Sequence, residues 1–222
     1  MCISVHQLCY VHADKEPLFQ NINLTVNTGQ RLALVGNNGT GKSTLLRIIE
    51  GNLKPSSGEV VCSSRPYYIP QHFGQFDNLT VAEALRVDDR IKALHAILEG
   101  DASAENFTCL NDDWNVEERC LSALASWNLE HLQLSQPMCS LSGGEKIRLL
   151  FCCLMIGNNA PDVFILDEPT NNLDIQSVEI ITAAIKSYRG TVLLISHDHY
   201  FVKEIKINRS IKLFDTGSVI KI

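Results

Sequence analysis

The apolar residues near the two ends of the chain have the spacing of β-strands that alternate with helices. In the opening segment they predict strands separated by polar turns at residues 13–15 and 27–29, with Tyr10 placed in the first turn. Residues 32–35 are a continuous apolar run typical of a buried strand, and residues 45–49 carry apolar side chains along one face of a helix. Further strands are predicted from residue 58 and at residues 67–69, the second leading to Gln71 in a loop.

Helical spacing replaces this pattern from about residue 76 to residue 140, after which strands and helices alternate again. The later part predicts an apolar helix that includes Leu154 and Met155, strands at residues 163–166 and 192–195, and a helix at residues 175–187. Such alternation predicts crossover connections and a mainly parallel sheet. We therefore expect an α/β core at residues 1–76 and 141–222 with an inserted helical subdomain at residues 77–140.

The loop between the predicted strand at residues 32–35 and the next helix has the pattern G-x-x-x-x-G-K-[ST] of a phosphate-binding loop. Its glycines let the backbone turn tightly and direct several N–H groups at one anion, and the helix N-terminus adds further donors. Lys42 is expected to contact the β- and γ-phosphates, and the Ser43 hydroxyl to hold Mg²⁺. The loop consists of Gly36, Asn37, Asn38, Gly39, Thr40, Gly41, Lys42, Ser43 and Thr44.

Two acids follow the predicted strand at residues 163–166, at the sheet edge where such folds bind ligands. We expect Asp167 to serve Mg²⁺ together with Ser43, and Glu168 to orient and deprotonate an attacking water molecule. His197 follows the last predicted core strand. Because Glu168 also ends a core strand, we interpret His197 as a contact to the γ-phosphate.

A second helix start with open glycines is predicted at Ser142, Gly143, Gly144 and Glu145. Ser142 and Glu145 form the Ser-x-x-Glu capping box. The two glycines leave the first N–H groups of the helix sterically accessible to an anion. Because one ATP needs only one such loop from its own subunit, this second helix start is expected to serve the nucleotide of a neighbouring subunit.

Composition excludes several classes of protein. A hydrophobic fraction of 45% suits a folded globular protein, and a net charge of −6 provides no overall field for nucleic acid, so we expect no direct DNA binding. No apolar run is long enough for a membrane helix, and the N-terminus lacks the features of a signal peptide, from which we expect a cytoplasmic protein. The eight cysteines contain no C-x-x-C pair and are expected to be reduced thiols.

Residues 77–130 are strongly acidic, with twelve Asp or Glu against four Lys or Arg. This local charge argues against direct RNA contact by the helical subdomain. Asp112, Asp113 and Trp114 could form a metal or partner site, but we interpret them as a solvated acidic turn.

Taken together, these motifs resemble the nucleotide-binding domain of the ATP-binding cassette (ABC) superfamily over the whole chain. The resemblance identifies residues 36–44 as Walker A, Gln71 as the Q-loop, residues 141–145 as the signature, residues 163–168 as Walker B, residues 172–174 as the D-loop and His197 as the switch histidine. The asparagine-rich D-loop resembles that of the ABC-F branch. The fold implied is an α/β P-loop NTPase with a mainly parallel core sheet and an N-terminal antiparallel β-subdomain.

The resemblance also implies roles for residues that the pattern alone does not assign. Tyr10 would stack on adenine, Gln71 would sense Mg²⁺ as a further ligand and couple to a partner, and Asp174 would join the nucleotide-binding set. Two cassettes would enclose two ATP molecules head to tail, with the signature loop of each, including Ser142, closing on the γ-phosphate bound by the other.

The predicted function is Mg²⁺-dependent ATP binding and hydrolysis by an F-type cassette. Since the chain has only one Walker A, we expect it to be one half of a two-cassette protein acting on the ribosome in translation or antibiotic resistance, and a start at Met1 suits a first cassette. Two alternatives stay open. One is the ATPase subunit of a transporter, docked on a membrane permease through the helical subdomain. The other is an ATP-switched interaction module that hydrolyses negligibly alone.

Overall fold

The computed structural model of the protein describes residues 2–12, 16–153, 156, 161–171, 173–214 and 219–221. Three sequence predictions therefore lie outside the described residues: the turn at residues 13–15, Leu154 and Met155 of the apolar helix, and Asn172 of the D-loop. The chain divides into two compact units. The first comprises Met1–Gln71, Pro161–Asn171 and Thr182–Ile222, and the second comprises His72–Ala160 and Asn172–Ile181.

The described elements follow the predicted alternation of strands and helices. The strands are β1 (Ile3–Val11), β2 (Pro17–Val26), β3 (Arg31–Val35), β4 (Ser57–Cys62), β5 (Tyr67–Ile69), β6 (Val163–Asp167), β7 (Thr191–Ile195), β8 (Arg209–Leu213) and β9 (Val219–Lys221). The helices are α1 (Lys42–Glu50), α2 (Val81–Ala84), α3 (Asp88–Leu98), α4 (Ala104–Leu110), α5 (Val116–Ser126), α6 (Gly143–Cys152), α7 (Ile175–Ser187) and α8 (His199–Glu204). The predicted subdomain boundaries at residues 77 and 140 stay a prediction.

The first unit contains two sheets. One is antiparallel, with the strand order β2-β1-β4, and the other has the order β5-β6-β7-β3-β8-β9, in which only β9 runs antiparallel to its neighbour. Every residue of β6 and β7 is buried, because these strands are covered on both faces, as their continuous apolar runs predict. The predicted mainly parallel sheet with an antiparallel N-terminal subdomain is confirmed.

The position of Tyr10 differs from the prediction. Tyr10 does not lie in a turn; it lies in β1, opposite Phe19 of β2. The strand runs as far as Val11, and its pairing with β2 is irregular between Val5 and Leu8, between Leu8 and Tyr10 and between Tyr10 and Val11. These irregularities interrupt the alternation of apolar and polar residues, which is why the sequence pattern of this strand ends early.

Arg31 at the start of β3 contacts the C-terminal ends of two helices in the first unit. Its Nη1 donates a hydrogen bond of 2.6 Å to the carbonyl oxygen of Ile205, which follows α8. Its Nη2 lies 2.8–3.0 Å from three carbonyl oxygens at the end of α7, those of Ile185, Lys186 and Tyr188. A cation at a helix C-terminus satisfies carbonyls that have no intrahelical partner. Arg31 therefore fastens both helix ends to the central strand.

The second unit contains α2 to α6, and one of its turns departs from the prediction. The segment at Asp112 and Asp113 is not a fully solvated acidic turn. The Asp113 side chain is only 11% exposed and accepts a hydrogen bond of 2.7 Å from Nη2 of Arg119. Arg119 reaches back from the first turns of α5, and Arg90 of α3 approaches the same carboxylate at 3.5 Å. Two cations therefore neutralise Asp113, whereas Asp112 is exposed.

Two further predictions concern cysteines and membrane helices. All eight cysteines lie in the described part of the chain, and all are free thiols, as predicted. In the same described ranges, the structure contains no helix with the length and apolar character required to cross a bilayer.

Candidate nucleotide-binding site

The loop between β3 and α1 has a backbone that only glycine fits at two positions. Gly36 has φ +153°, and a Cβ there would lie 2.4 Å from the carbonyl oxygen of Leu213. Gly41, which caps α1, has φ +92°, and its Cβ would lie 2.7 Å from Cδ2 of Leu18. Inside the loop, the buried Thr40 hydroxyl donates to the carbonyl oxygen of Asn37 at 3.1 Å. Sequence reasoning predicts the tight turn; the neighbours that enforce it are visible only in the structure.

Lys42, the first residue of α1, is buried and folds back over this loop. Its Nζ donates to the carbonyl oxygens of Gly36 at 2.9 Å and Asn37 at 2.7 Å. Burial lowers the pKa of Lys42, and the nearby carboxylates of Glu168 and Asp167 oppose that shift. The ammonium group is thus already held in the loop by two neutral acceptors, which an anionic phosphate would outcompete.

Asp167 at the end of β6 lies directly against α1. Its Oδ1 accepts a hydrogen bond of 3.1 Å from the Ser43 hydroxyl, so the two residues predicted to share Mg²⁺ are in contact. Its Oδ2 accepts a hydrogen bond of 2.9 Å from the hydroxyl of Tyr68 on β5. The Asp167 side chain is buried, and burial with the adjacent carboxylate raises the pKa of Tyr68 above its ordinary value. Sequence reasoning does not identify Tyr68, which reads as part of a short apolar strand.

Glu168 and His197 form the second predicted pair that the structure brings together. The Glu168 carboxylate is buried; its Oε2 accepts the backbone N–H of His197 at 3.1 Å, and its Oε1 lies 3.3 Å from Nε2 of the His197 ring. The Glu168 backbone has φ +49°, which is unusual for a residue with a side chain, and its N–H donates to Ile195 at 2.9 Å. Backbone strain of this kind is concentrated at functional sites.

A cleft of about 500 Å³ in the first unit brings these groups together. The predicted residues that line it are Asn38, Gly39, Gly41, Lys42, Ser43, Thr44, Gln71, Asp167, Glu168 and His197. Gly36, Asn37 and Thr40 shape the loop beneath it. Four lining residues were not predicted as part of the site: His12, Leu18, Asn171 and Ile195. Asn171 follows Glu168 by three positions, and this spacing is a sequence signal that could have identified it. In the structure the two residues share a turn, in which the N–H of Asn171 donates to the carbonyl oxygen of Glu168 at 3.1 Å.

Tyr10 is not among the residues that line the cleft. Its ring lies between two other aromatic rings, with its centroid 5.5 Å from that of His12 in an edge-on arrangement and 6.0 Å from that of Phe19. His12 and Leu18 line the cleft at this end. The stacking role predicted for Tyr10 stays a prediction, and His12 is the aromatic side chain that borders the cleft at this end.

The donor atoms in the cleft suit Mg²⁺. Among the residues that the structure describes, no group of three or more His, Cys, Asp and Glu could hold a metal ion as an all-protein cage. Mg²⁺ prefers a different arrangement, one or two oxygen ligands from the protein completed by phosphates and water. Asp167 with the Ser43 hydroxyl provides such oxygens, and the Gln71 side chain lines the same cleft.

In the second unit, the predicted capping box at the start of α6 is confirmed. Ser142 Oγ accepts the N–H of Glu145, and Glu145 Oε2 accepts the N–H of Ser142 at 2.8 Å. Hydrogen bonds from Ser142 are the main reason that the pKa of Glu145 falls to about 2, and His131, 2.8 Å from Oε1, contributes further. A Cβ on Gly143 would meet no atom within 4 Å, so the first turn of the helix has open space beside it.

Asp174 of the predicted D-loop also lies in the second unit, beside α6. Its Oδ1 accepts the N–H of Ser177 at 2.7 Å, and its Oδ2 accepts the Ser177 hydroxyl at 3.1 Å. Its carboxylate therefore caps the start of α7. The same carboxylate lies about 4.0 Å from where a Cβ on Gly144 would stand, so the capped turn packs against the signature glycines. The predicted nucleotide contact of Asp174 stays a prediction.

The parallel sheet, the glycine loop after its central strand and the two carboxylates at its edge define a P-loop nucleotide-binding protein. Comparison with known proteins narrows this class, since residues 19–171 match the model of the family described as ABC transporter. The chain belongs to this ATP-binding cassette family, as its motifs predict.

The relatives of the chain include the F branch of the family. It is 37% identical to ABC transporter F family member 2 of Arabidopsis thaliana over 97% of its own length, and 37% identical to member 5 of the same plant over 96%. It spans 28% of the length of each relative. Among solved structures, an ATP-binding subunit of an ABC transporter superposes with a TM-score of 0.72 at 22% identity, covering 100% of this chain and 90% of the other. The predicted resemblance to the ABC-F branch is confirmed, and the structural match supports the predicted fold.

Proposed function

We propose that this chain is a Mg²⁺-dependent ATPase cassette that binds and hydrolyses ATP in the cleft. One observation supports the proposal above all others. Around the P-loop, the cleft brings the Ser43–Asp167 contact, which suits a metal, next to the Glu168–His197 contact, which suits a water molecule and a γ-phosphate. Phosphoryl transfer depends largely on positioning and on neutralisation of charge, and the cleft supplies candidate groups for the phosphates, the metal and the water molecule.

The phosphates would lie on the backbone N–H groups of the loop and the N-terminus of α1. Lys42 would leave the carbonyl oxygens of Gly36 and Asn37 to pair with the β- and γ-phosphates. Mg²⁺ held by Ser43 and Asp167 with Gln71 nearby would neutralise phosphate charge. The loop would also exclude water behind the phosphates and fix their orientation.

Glu168 is placed to act as the general base. Its carboxylate, which is buried and lines the cleft, would accept a proton from the attacking water. The backbone N–H of His197 holds that carboxylate, and the His197 ring, which lies 3.3 Å from it, would contact the γ-phosphate. The adenine would lie towards His12 and Leu18, with Tyr10 packed edge-on behind His12 as a second aromatic contact.

We further propose that the cassette works with a second cassette, in the same protein or another, arranged head to tail. The first turn of α6, which is open at Gly143 and has Ser142 at its cap, would close on the γ-phosphate held by the partner, and Asp174 would support that turn from the side of Gly144. The role implied by the resemblance to the F branch, in translation or antibiotic resistance with the ribosome as the wider partner, is part of this proposal. The chain spans only 28% of the length of each of the F-family relatives, which is consistent with a single cassette.

The test is Glu168→Gln, which keeps the size of the side chain but removes its basicity. We expect ATP affinity to stay within about 2-fold of the wild type and steady-state hydrolysis to fall about 100-fold or more, the contribution typical of a general base. Because hydrolysis would no longer reopen the pair, light scattering should show ATP-dependent dimers that persist.

Glu59→Gln is the matched control, since Glu59 is an exposed glutamate of β4 outside the cleft, and we expect wild-type turnover. Unchanged hydrolysis in Glu168→Gln would remove Glu168 from the mechanism. A wild-type chain that binds ATP without turnover, even when dimeric, would favour the ATP-switched interaction module instead.

A further inference from the structure

Tyr68 on β5 places a buried hydroxyl group on the candidate metal ligand. Its side chain is 4% exposed, and its hydroxyl donates to Oδ2 of Asp167 at 2.9 Å. The other carboxylate oxygen, Oδ1, accepts the Ser43 hydroxyl at 3.1 Å. The two oxygens of Asp167 are therefore assigned to different partners, one from the neighbouring strand and one from α1.

The chemistry of the two groups sets the direction of the hydrogen bond. The phenol oxygen carries a single proton, and it donates that proton to Oδ2 of Asp167, because a carboxylate oxygen accepts. The bond is charge-assisted, which makes it stronger than a hydrogen bond between neutral groups.

An ordinary core role for Tyr68 would require only that its hydroxyl find some partner. A phenylalanine would fill the same volume on β5 without placing a polar group in the core. The hydroxyl instead contacts the one carboxylate that the Ser43 contact marks as the metal ligand. A group that hydrogen-bonds to a metal ligand fixes the orientation of that ligand, and mutation of such a group typically lowers metal affinity 10–100-fold.

We propose that Tyr68 is a positioning residue that holds Oδ2 of Asp167 and so presents Oδ1, beside Ser43, to the Mg²⁺ of bound ATP. This inference rests on the proposed function, because it concerns how the same site holds its metal. It assigns no proton transfer and no contact with substrate to Tyr68. Its consequence is specific: the hydroxyl should matter for nucleotide binding only when a divalent cation is present.

The experiment compares Tyr68→Phe with the wild-type chain. ATP binding is measured by calorimetry in EDTA and in Mg²⁺, and Mn²⁺ binding to the ATP complex is measured by electron paramagnetic resonance. We expect about a 10-fold loss of Mn²⁺ affinity, at the lower end of the range for such groups, and a similarly reduced gain of ATP affinity on adding Mg²⁺. ATP affinity in EDTA should stay within about 2-fold.

Tyr67→Phe is the matched control, since Tyr67 is the adjacent tyrosine of the same strand and its ring packs against Phe164 at 5.4 Å. This variant should bind Mn²⁺ as the wild type does. Equal Mn²⁺ affinity in Tyr68→Phe and the wild type would overturn the inference and leave the proposed function intact. Loss of ATP binding in EDTA as well would show that Tyr68 only supports the fold, which also overturns it. If the ATP affinity of the wild-type chain were the same in EDTA and in Mg²⁺, both the inference and the proposed function would be overturned.

Discussion

Replacing Arg31 by Met should destabilise the first unit strongly, although Arg31 lies outside the cleft. The guanidinium group donates to four carbonyl oxygens, those of Ile205, Ile185, Lys186 and Tyr188. A hydrogen bond from a charged donor contributes about 1.5–3 kcal/mol. Three of the four acceptors share Nη2, and part of the guanidinium group is solvent-accessible. We therefore count only two hydrogen bonds, each at the lower value of about 1.5 kcal/mol. The expected loss in the free energy of unfolding is about 3 kcal/mol.

The assay is urea unfolding followed by circular dichroism, with thermal unfolding as a second measure. For a chain of this size, a loss of about 3 kcal/mol corresponds to a fall in melting temperature of about 6–12 °C. Arg31→Lys should recover only part of the loss, because an ammonium group cannot reach the ends of α7 and α8 at once. Lys54→Met, at an exposed position, is the control for removing a cation. An Arg31→Met variant within 1 kcal/mol of the wild type would refute the assignment of Arg31 as the fastening of both helix ends.

Two further predictions concern the signature helix and the adenine end of the cleft. The folded-state pKa of Glu145 is about 2, below its ordinary 4.5, so its contribution to stability is complete above pH 4.5 and is lost as the pH falls towards 2. The difference in unfolding free energy between the wild type and Glu145→Gln should therefore shrink across that interval, and a constant difference would contradict it. His12→Ala should weaken ATP binding more than Tyr10→Ala, because His12 borders the cleft. A fluorescent-nucleotide titration that ranks the two variants the other way would assign the adenine contact to Tyr10.

Much of the architecture could be predicted because its signals are local in the sequence. The apolar runs of β6 and β7 and the Ser-x-x-Glu cap of α6 depend on neighbouring residues, and the structure has both as predicted. The prediction of a solvated acidic turn was wrong for Asp113, because the partners of that carboxylate lie outside the turn. Arg119 is six positions away and Arg90 twenty-three, and charge counting along the sequence does not show which acid they neutralise.

The candidate site divides in the same way. The order and spacing of residues along the chain by themselves determined the glycine loop, the acids at the end of β6 and the protein family. Each of these motifs is a short contiguous pattern with its own backbone requirement. Only the tertiary structure decided which groups face one another. It places the hydroxyl of Tyr68 against Asp167, ninety-nine positions away, and the side chain of His12 at the cleft. Strand pairing and bulges set those contacts, and they depend on residues far apart in the chain.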